Sequence, residues 1–425
     1  MMRVGNIGKR KINQALSYAL VVACALSCLC ARAQQNLIFN EQIRTLQLVV
    51  DDNPLLPPVM ELGRHHHVEI SWDEMSHEYH RYLYHVQHCE SDWTPSDGIF
   101  ESDYMQGNND QPVEDYEKSF NTVQLYTHYS LRFPNEQVGF ILSGNYRILV
   151  YEEGSEPDDP VLEACFSLYE NQVSLRTEVS SNTDVDFNKN HQQLTLAMGY
   201  GVLSVTDPAR EFSMVVMQNR RWDNKVVNPV ANIRKQNGVE FTHNRQLIFP
   251  AGNEFHKFEI LDVQRTSMGV DDMEWFEPYY HATLYPHRPA HNYDYDEDQN
   301  GIYVLRSSDD TDDAITAEYV FVHFILQSPR LPGGDVYVCG QWTNGSFDPD
   351  CRMEYDEAKQ QYEVAVLLKQ GYYDYQFRQA DGATSRTMGD FYETENEYSV
   401  LVYYRAQGAR TDRLVGYQRS TVNDQ

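Results

Sequence analysis

Cationic residues are scarce in this sequence: 34 Lys and Arg stand against 63 Asp and Glu among 425 residues, for a formal net charge of −29. Such an excess of negative charge argues against nucleic acids and anionic lipid surfaces as partners, because both repel an acidic protein. Cysteine is also sparse, at 7 residues, which excludes a small scaffold held together by disulfides. The length predicts two or three domains, each large enough for its own core.

Long apolar runs are missing except at the N-terminus. Basic residues between Arg3 and Lys11 precede an apolar stretch that ends at Leu29, and Ala31-Arg32-Ala33 follows. This order predicts a secretory signal over residues 1–33, which leaves 29 basic and 63 acidic residues and a net charge of −34 in the exported chain. Lipidation at Cys28 is the alternative that stays open. No later segment is apolar for the roughly 20 residues that a bilayer requires.

The common catalytic motifs are absent as well. The sequence has no GxSxG, HExxH, GxxxxGK[ST] or GxGxxG pattern, and no CxxC pair. Paired carboxylates are so frequent in this acidic chain that none indicates a glycosidase. We therefore predict a protein without enzymatic activity, with no catalytic residues and no cofactor.

Two clusters have the residue types of metal sites. His65 and His67 share one face of a predicted strand, but a full ligand set is missing, and solvent-facing histidines are the commoner interpretation. Asp296, Asp298 and Asn300 match the start of a calcium loop. Position twelve of that loop, where a bidentate glutamate is needed, is Ser307, so a polar hairpin turn is favoured and calcium binding stays open.

Alternating apolar residues recur along the whole chain and predict an all-β protein. Val68, Ile70 and Trp72 are typical of a strand with one buried face. The segment 319–326 is apolar on both faces, which predicts a central strand. Thr94 to Asp115, by contrast, is polar and rich in turn residues, and predicts a long loop.

These patterns predict tandem β-sandwich domains of the immunoglobulin, fibronectin or E-set kind. The predicted divisions are a signal at 1–33, a first sandwich at 34–170, a second β domain at 171–312, a C-terminal E-set-like sandwich at 313–412 and a tail at 413–425, with the last domain boundary near 309–313. Four cysteines remain after export. Among their three pairings, a bridge between Cys339 and Cys351 within one domain is the more plausible, and Cys89 and Cys165 are the other two.

Four segments together resemble the plug protein family of the type IX secretion system. They are QNRRWDN at 218–224, FPAGNEF at 249–255, DQNG at 298–301 and EYVFVHF at 318–324. The resemblance extends from about Asn36 to about Tyr404. It implies a periplasmic protein at the outer membrane that closes the periplasmic opening of the translocon barrel while no cargo carrier is engaged. The resemblance implies no catalytic residues.

The alternative function is an exported carbohydrate-binding protein that uses the C-terminal E-set module. Such modules stack aromatic rings on sugars, and Trp342 lies in a predicted loop. For the plug function, aromatic residues in loops are the candidate partner contacts: Trp93, Trp275, Phe276 and Trp342. The barrel is the expected partner, and the sequence does not indicate which domain meets it.

Overall fold

The computed structural model describes residues 36–63, 65–308, 312–381 and 383–422. The predicted signal, Cys28 and part of the predicted boundary at 309–313 lie outside the described residues. Within them, the α-helices are single turns, α1 (Glu101–Tyr104), α2 (Pro208–Glu211) and α3 (Asp313–Thr316), and strands form the rest of the framework. The all-β prediction is confirmed. None of the described helices is long and apolar enough to cross a membrane.

The first sandwich packs two sheets around one core. Its strands are β1 (Leu37–Ile38), β2 (Ile43–Val50), β3 (Val59–Glu61), β4 (Val68–Glu74), β5 (Tyr82–Cys89), β6 (Met105–Gly107), β7 (Gln111–Pro112), β8 (Asp115–Lys118), β9 (Thr127–Phe133), β10 (Val138–Phe140), β11 (Gly144–Glu152) and β12 (Leu162–Tyr169). The sheet β2-β4-β9-β8 faces the sheet β1-β12-β11-β5-β7. The alternating residues Ile70, Trp72, Tyr84, Val86 and Ile148 meet between them, completely buried.

Eighteen further strands follow in chain order. Seven come first: β13 (Ser174–Ser180), β14 (His191–Gly199), β15 (Phe212–Gln218), β16 (Val226–Val227), β17 (Ile233–Lys235), β18 (Gly238–Phe241) and β19 (Ile248–Pro250). Nine come next: β20 (His256–Ile260), β21 (Val270–Phe276), β22 (Tyr279–Leu284), β23 (Tyr303–Leu305), β24 (Tyr319–Gln327), β25 (Val336–Cys339), β26 (Glu354–Asp356), β27 (Gln361–Lys369) and β28 (Gly371–Gln379). The last two are β29 (Glu397–Tyr404) and β30 (Arg413–Thr421).

The second sandwich is discontinuous in sequence. One of its sheets is β13-β14-β18-β17, and the other is β16-β15-β29-β30, so strands near residue 215 pair with strands near residue 400. Leu194 and Val216 from the early segment share a core with Val400 and Val415 from the late one.

The third sandwich is inserted between those two segments. Its sheets are β20-β28 with β23 and β25, and β21-β22-β24-β27-β26. Strand β24 lies between β22 and β27, so its predicted central position is confirmed. Phe258 and Ile260 of β20 pack in the same core as Val322 and Phe324 of β24.

This nesting departs from the predicted divisions. Strands β20 and β23 both pair with β28, so the expected boundary near 309–313 falls inside the third sandwich. The residues expected to form a tail contain β30, which pairs along its length with β29. The strands of the first sandwich, β1 to β12, lie between residues 37 and 169. The pairing of strands about 180 residues apart leaves no local pattern in the sequence. Each single strand does leave one, the alternation of apolar residues.

Two smaller predictions are also corrected. The polar segment 94–115 is not a bare loop, because it contains α1, β6 and β7, and β6 pairs with β10. All four described cysteines are buried free thiols, so the Cys339–Cys351 bridge is not formed. Cys89 and Cys165 instead pack with Trp93 where the first sandwich meets the second.

Buried contacts fix the first sandwich against both others. Against the second, the outer faces of β29 and β30 bury Leu401, Tyr403 and Leu414 in a cluster that includes Tyr169 of the first sandwich. The hydroxyl of Tyr403 lies 3.0 Å from Asn145 Oδ1. Because both faces of β29 are covered, each of its eight residues is buried.

The contact between the first and third sandwiches is polar, and its central side chains are buried. Asp73 Oδ2 lies 2.7 Å from Lys369 Nζ, and both side chains are at most 1% exposed. Tyr319 donates to the same oxygen at 2.7 Å, and His128 Nδ1 lies 2.7 Å from Asp73 Oδ1. Burial opposes ionisation of Asp73, but Lys369 and His128 together hold its pKa below the ordinary value.

Candidate functional site

Two of the four predicted contact residues take part in packing. Trp93 is completely buried, and its ring meets Trp222 edge to face at 5.8 Å between the first and second sandwiches. Trp342 is half-buried, stacks on Phe324 at 6.1 Å and donates its Nε1–H to the Asp374 carbonyl at 3.1 Å. Trp93 is therefore not a surface contact in this conformation, and Trp342 is used in packing rather than presented as a platform for sugar rings.

The other two residues lie at the tip of an exposed hairpin. Strands β21 and β22 pair until Phe276 stands opposite Tyr279, and Glu277 and Pro278 form the turn. Phe276 is 74% exposed and Trp275 is 50% exposed. The Trp275 ring contacts Tyr280 across the hairpin at 4.8 Å. Exposed aromatic rings held on a paired hairpin are typical of an anchor for another protein.

Carboxylates lie along the same hairpin, with Glu274 and Glu277 next to the aromatic tip and Asp271 and Asp272 at the start of β21. Asp271, Asp272, Glu274 and Glu277 are all exposed, and the ion pairs of the described chain include none of them. The tip therefore combines a large apolar contact with uncompensated negative charge. Its complement would be an apolar depression bordered by cationic groups.

A second feature is a cleft where all three sandwiches meet, which we call the joint cleft. Its cavity measures about 200 Å³. The lining comes from the first sandwich at Asn36 and Pro58, from the second at residues 219–223, and from the third mainly at Phe255, Asn300, Gly301, residues 339–341, 344–345, Gln376 and Arg378. Three of the four segments that carry the family resemblance contribute to this lining.

The turn after β15 brings its side chains into the joint cleft through left-handed backbone. Asn219 and Arg220 have φ of 51° and 58°. Asn219 is held in this conformation because its Oδ1 accepts the Glu397 N–H at 2.8 Å and its Nδ2 donates to Asn396 at 2.7 Å. Arg221 then forms a two-point pair with Asp223, with Nη2 to Oδ2 at 2.8 Å.

The GNEF segment is one of two crossings between the second and third sandwiches. Gly252 N donates to Asp390 at 3.0 Å, and the Gly252 carbonyl accepts the Phe391 N–H at 2.8 Å. Glu254 accepts from the Glu395 N–H at 3.0 Å. The GNEF segment and the second crossing, at residues 390–396, are therefore hydrogen-bonded to each other. These bonds fix the third sandwich to the second, into which it is inserted.

The calcium-like turn is a structural hairpin that borders the joint cleft. Asp298 accepts hydrogen bonds from the N–H groups of Phe255 and Asn300, and Asp374 accepts from Gln299 and Gly301. Burial, and then the charge of Asp374, raise the pKa of Asp298 to about 8. Burial also raises the pKa of Asp374 to about 6. These carboxyl groups already serve backbone donors, which favours the polar-turn interpretation.

The histidines near residue 66 are engaged with acids. His66 Nδ1 lies 2.7 Å from Asp51 Oδ2, and His67 Nε2 lies 3.1 Å from Asp52 Oδ1. Over residues 36–63, 65–308, 312–381 and 383–422, no group of three or more His, Cys, Asp or Glu side chains is arranged to hold a metal ion.

Sequence reasoning missed Arg378 and the origin of the joint cleft. Arg378 lies on β28 and is 4% exposed, and it reaches Asp223 of the second sandwich. In the sequence, the RRWDN segment stands out only as part of the family resemblance. Two arginines beside an aspartate are the signal in the sequence for a charged cluster. The third arginine of that cluster, Arg378, is more than 150 residues from Asp223 in the sequence.

The strands and sheets define an all-β protein of three packed sandwiches. The model of the type 9 secretion system plug protein 1st domain matches residues 43–170. A crystal structure of a hypothetical protein from Parabacteroides merdae ATCC 43184 is 38% identical, with a TM-score of 0.88, and covers 92% of this chain and 100% of its own. A marsupial T cell receptor, 11% identical with a TM-score of 0.17, carries no argument. The comparison with curated proteins found no match.

By the match of its first sandwich, the chain belongs to the type 9 secretion system plug protein family. The family match covers residues 43–170, in the first sandwich, and the likeness to the P. merdae protein extends over all three sandwiches. Membership associates this protein with type 9 secretion. The E-set assignment of the C-terminal region stays a prediction.

Proposed function

We propose that this protein is a periplasmic plug subunit that binds the translocon barrel of the type 9 secretion system and closes its periplasmic opening while no cargo carrier is engaged. The match of residues 43–170 to the plug protein first domain is the observation that carries this proposal. The subunit would act by binding alone, without a catalytic step. The carbohydrate-binding alternative depended on Trp342, whose ring is packed against Phe324.

The way the sandwiches are joined supports a closure role. A plug has to resist deformation, because a gap at its edge would leak. Here the first sandwich is fixed to the third through Asp73 and Lys369, and to the second through the cluster around Leu414. Buried joints of this kind disfavour independent motion of the domains.

The tip of the β21–β22 hairpin is the contact that we propose for the barrel. Trp275 and Phe276 offer the apolar anchor, and the four carboxylates along the hairpin would steer it toward a basic rim. Truncating an aromatic anchor at the centre of an interface typically costs about 2 kcal/mol or more, which is about thirtyfold in affinity.

The test is recovery of the barrel from envelope extracts. Tagged exported protein should capture the barrel subunit, and the Trp275→Ala, Phe276→Ala double variant should capture much less. Phe187→Ala is the matched control, because Phe187 is 65% exposed on the second sandwich. Capture by the wild type should also weaken as salt is raised, since screening shortens electrostatic steering.

Permeability provides the functional measurement. A strain without the protein but with an intact translocon should admit bulky solutes that the wild type excludes. If permeability is unchanged and no barrel subunit is recovered with the wild-type protein, the plug function is wrong. If the double variant captures the barrel as well as the wild type does, the hairpin is the wrong contact and the plug function stands.

A further inference from the structure

We propose that the joint cleft binds a carboxylate group carried by a short segment of another polypeptide. This inference is independent of the proposed closure of the barrel, because it concerns a different surface. The joint cleft is lined by arginines, whereas the hairpin carries carboxylates.

Charge is the first argument. The joint cleft is lined by Arg220, Arg221 and Arg378, and Asp223 is the one acid among its lining residues. The chain as a whole has a net charge of −29. Arg220 is paired with Glu397 at 3.2 Å, and Arg221 and Arg378 share Asp223. Three guanidinium groups therefore face two carboxylates, which leaves one positive charge in excess, and low-dielectric walls concentrate its field on an anion.

Hydrogen bonding is the second argument. Asp223 already accepts two hydrogen bonds from Arg221, and Arg378 shares the same carboxylate through one Nη. The Arg378 side chain is 5% exposed, yet its Nε has no hydrogen-bond partner in the described chain. A buried cation with an unsatisfied donor is costly, and a carboxylate that entered the cleft would add the second anion that this pair of arginines lacks.

The walls indicate what carries the carboxylate. Trp222 and Phe255 supply aromatic surface, and Gln341 and Asn344 supply amide groups that suit peptide N–H and C=O. The cavity of about 200 Å³ is smaller than the roughly 300–1,000 Å³ of pockets for drug-sized ligands. One or two amino-acid residues fit that space better than a cofactor does.

A carboxylate on a peptide has two sources, the free C-terminus and an Asp or Glu side chain. Three probes separate them by isothermal titration calorimetry on the full exported chain: acetyl-Gly-Phe with a free C-terminus, acetyl-Glu-Phe-amide, and neutral acetyl-Gln-Phe-amide. At least one acidic peptide should bind, about tenfold or more tighter than the neutral peptide, because a charged hydrogen bond to arginine is then lost. The tighter of the two acidic peptides identifies the source.

Asn344→Asp locates the site. Asn344 has a left-handed φ of 54°, which aspartate tolerates, so the substitution adds a negative charge at the cleft with little change in the fold. We expect affinity for the acidic peptide to fall on the order of tenfold, through repulsion between like charges. Asn188→Asp is the matched control, since Asn188 is also left-handed, at 49°, and lies outside the cleft. Arg221→Gln is a second variant that should weaken binding by removing a cation.

Each variant is first checked for an unchanged melting temperature. The proposal is overturned if neither acidic peptide binds, or if the neutral peptide binds as tightly as the acidic ones. It is also overturned if Asn344→Asp and Asn188→Asp weaken binding equally, because the carboxylate would then be responding to net charge rather than to the cleft. Barrel capture by wild-type protein is unaffected by any of these results, so the two proposals fail separately.

Discussion

At the scale of single residues, one buried ion pair lies at the centre of the joint between the first and third sandwiches. Lys369 Nζ reaches Asp73 and also the Ala314 carbonyl, at 2.7 Å each, and lies 4.2 Å from the centre of the Tyr126 ring. Tyr319, in turn, lies 2.5 Å from Thr45 through its hydroxyl. The charges are excluded from water, so each member depends on the others being present.

Lys369→Met should therefore lower the free energy of unfolding by about 3–5 kcal/mol, because Asp73 would remain buried without its cation. Chemical denaturation measures the effect. The control is Lys359→Met, which removes an exposed lysine paired with Glu363 and should leave stability nearly unchanged. The double variant Asp73→Asn, Lys369→Met should recover part of the loss, and a loss as large as or larger than that of Lys369→Met alone would contradict this account.

At the scale of elements, the terminal strand β30 closes the second sandwich and also meets the first. Val415 faces the core of the second sandwich, and Leu414 faces the cluster shared with the first. The Leu414 carbonyl accepts the Glu170 N–H at 2.8 Å, next to the connection between the two sandwiches. A strand that alternates between two buried surfaces contributes to both, although its sequence position suggested a tail.

Leu414→Ala should destabilise the protein by about 2–5 kcal/mol, the range for truncating a buried leucine where the surroundings cannot collapse. Arg419→Ala, on the same strand with its side chain 37% exposed, is the comparison and should have little effect. Thermal unfolding followed by circular dichroism checks both. Equal melting temperatures for Leu414→Ala and the wild type would mean that β30 is dispensable.

At the scale of the whole molecule, the third sandwich is an insertion into the second. The host is assembled from strands before residue 250 and after residue 397, and the two crossings are tied together at Gly252 and Phe391. The family-like segments lie at these joints: the RRWDN turn, the GNEF crossing and the DQNG hairpin line the joint cleft, and Tyr319 of β24 reaches Asp73. Most of the segments that carry the family resemblance therefore lie where the sandwiches contact each other.

The nesting predicts which fragments fold. A fragment of residues 313–412, the originally expected C-terminal domain, should be unfolded, because it lacks Phe258, Ile260 and Val270 of its core and the strand β22 beside β24. A fragment of residues 252–391 contains the complete third sandwich and should fold. Far-ultraviolet circular dichroism and amide NMR dispersion distinguish the two. A folded 313–412 fragment would contradict the insertion.

The sequence by itself determined the strands and the all-β class. Alternation at Val68, Ile70 and Trp72, and the two-faced apolar run of β24, are local properties, since each residue's face follows from a period of two. The resemblance to the plug family was also available from short segments, and it is confirmed. The hairpin contact with the barrel stays a prediction.

Only the tertiary structure decided which strands pair, which aromatic side chains are buried and where the joint cleft forms. Whether Trp93 is buried or Trp275 exposed depends on which sheet face another sandwich covers, and both residues sit in similar polar surroundings in the sequence. Arg221 and Arg378 meet at Asp223 because β15 and β28 belong to different sandwiches that pack together. Pairing between distant strands costs loop-closure entropy and is repaid by burial of the whole, so no local stretch of sequence encodes it.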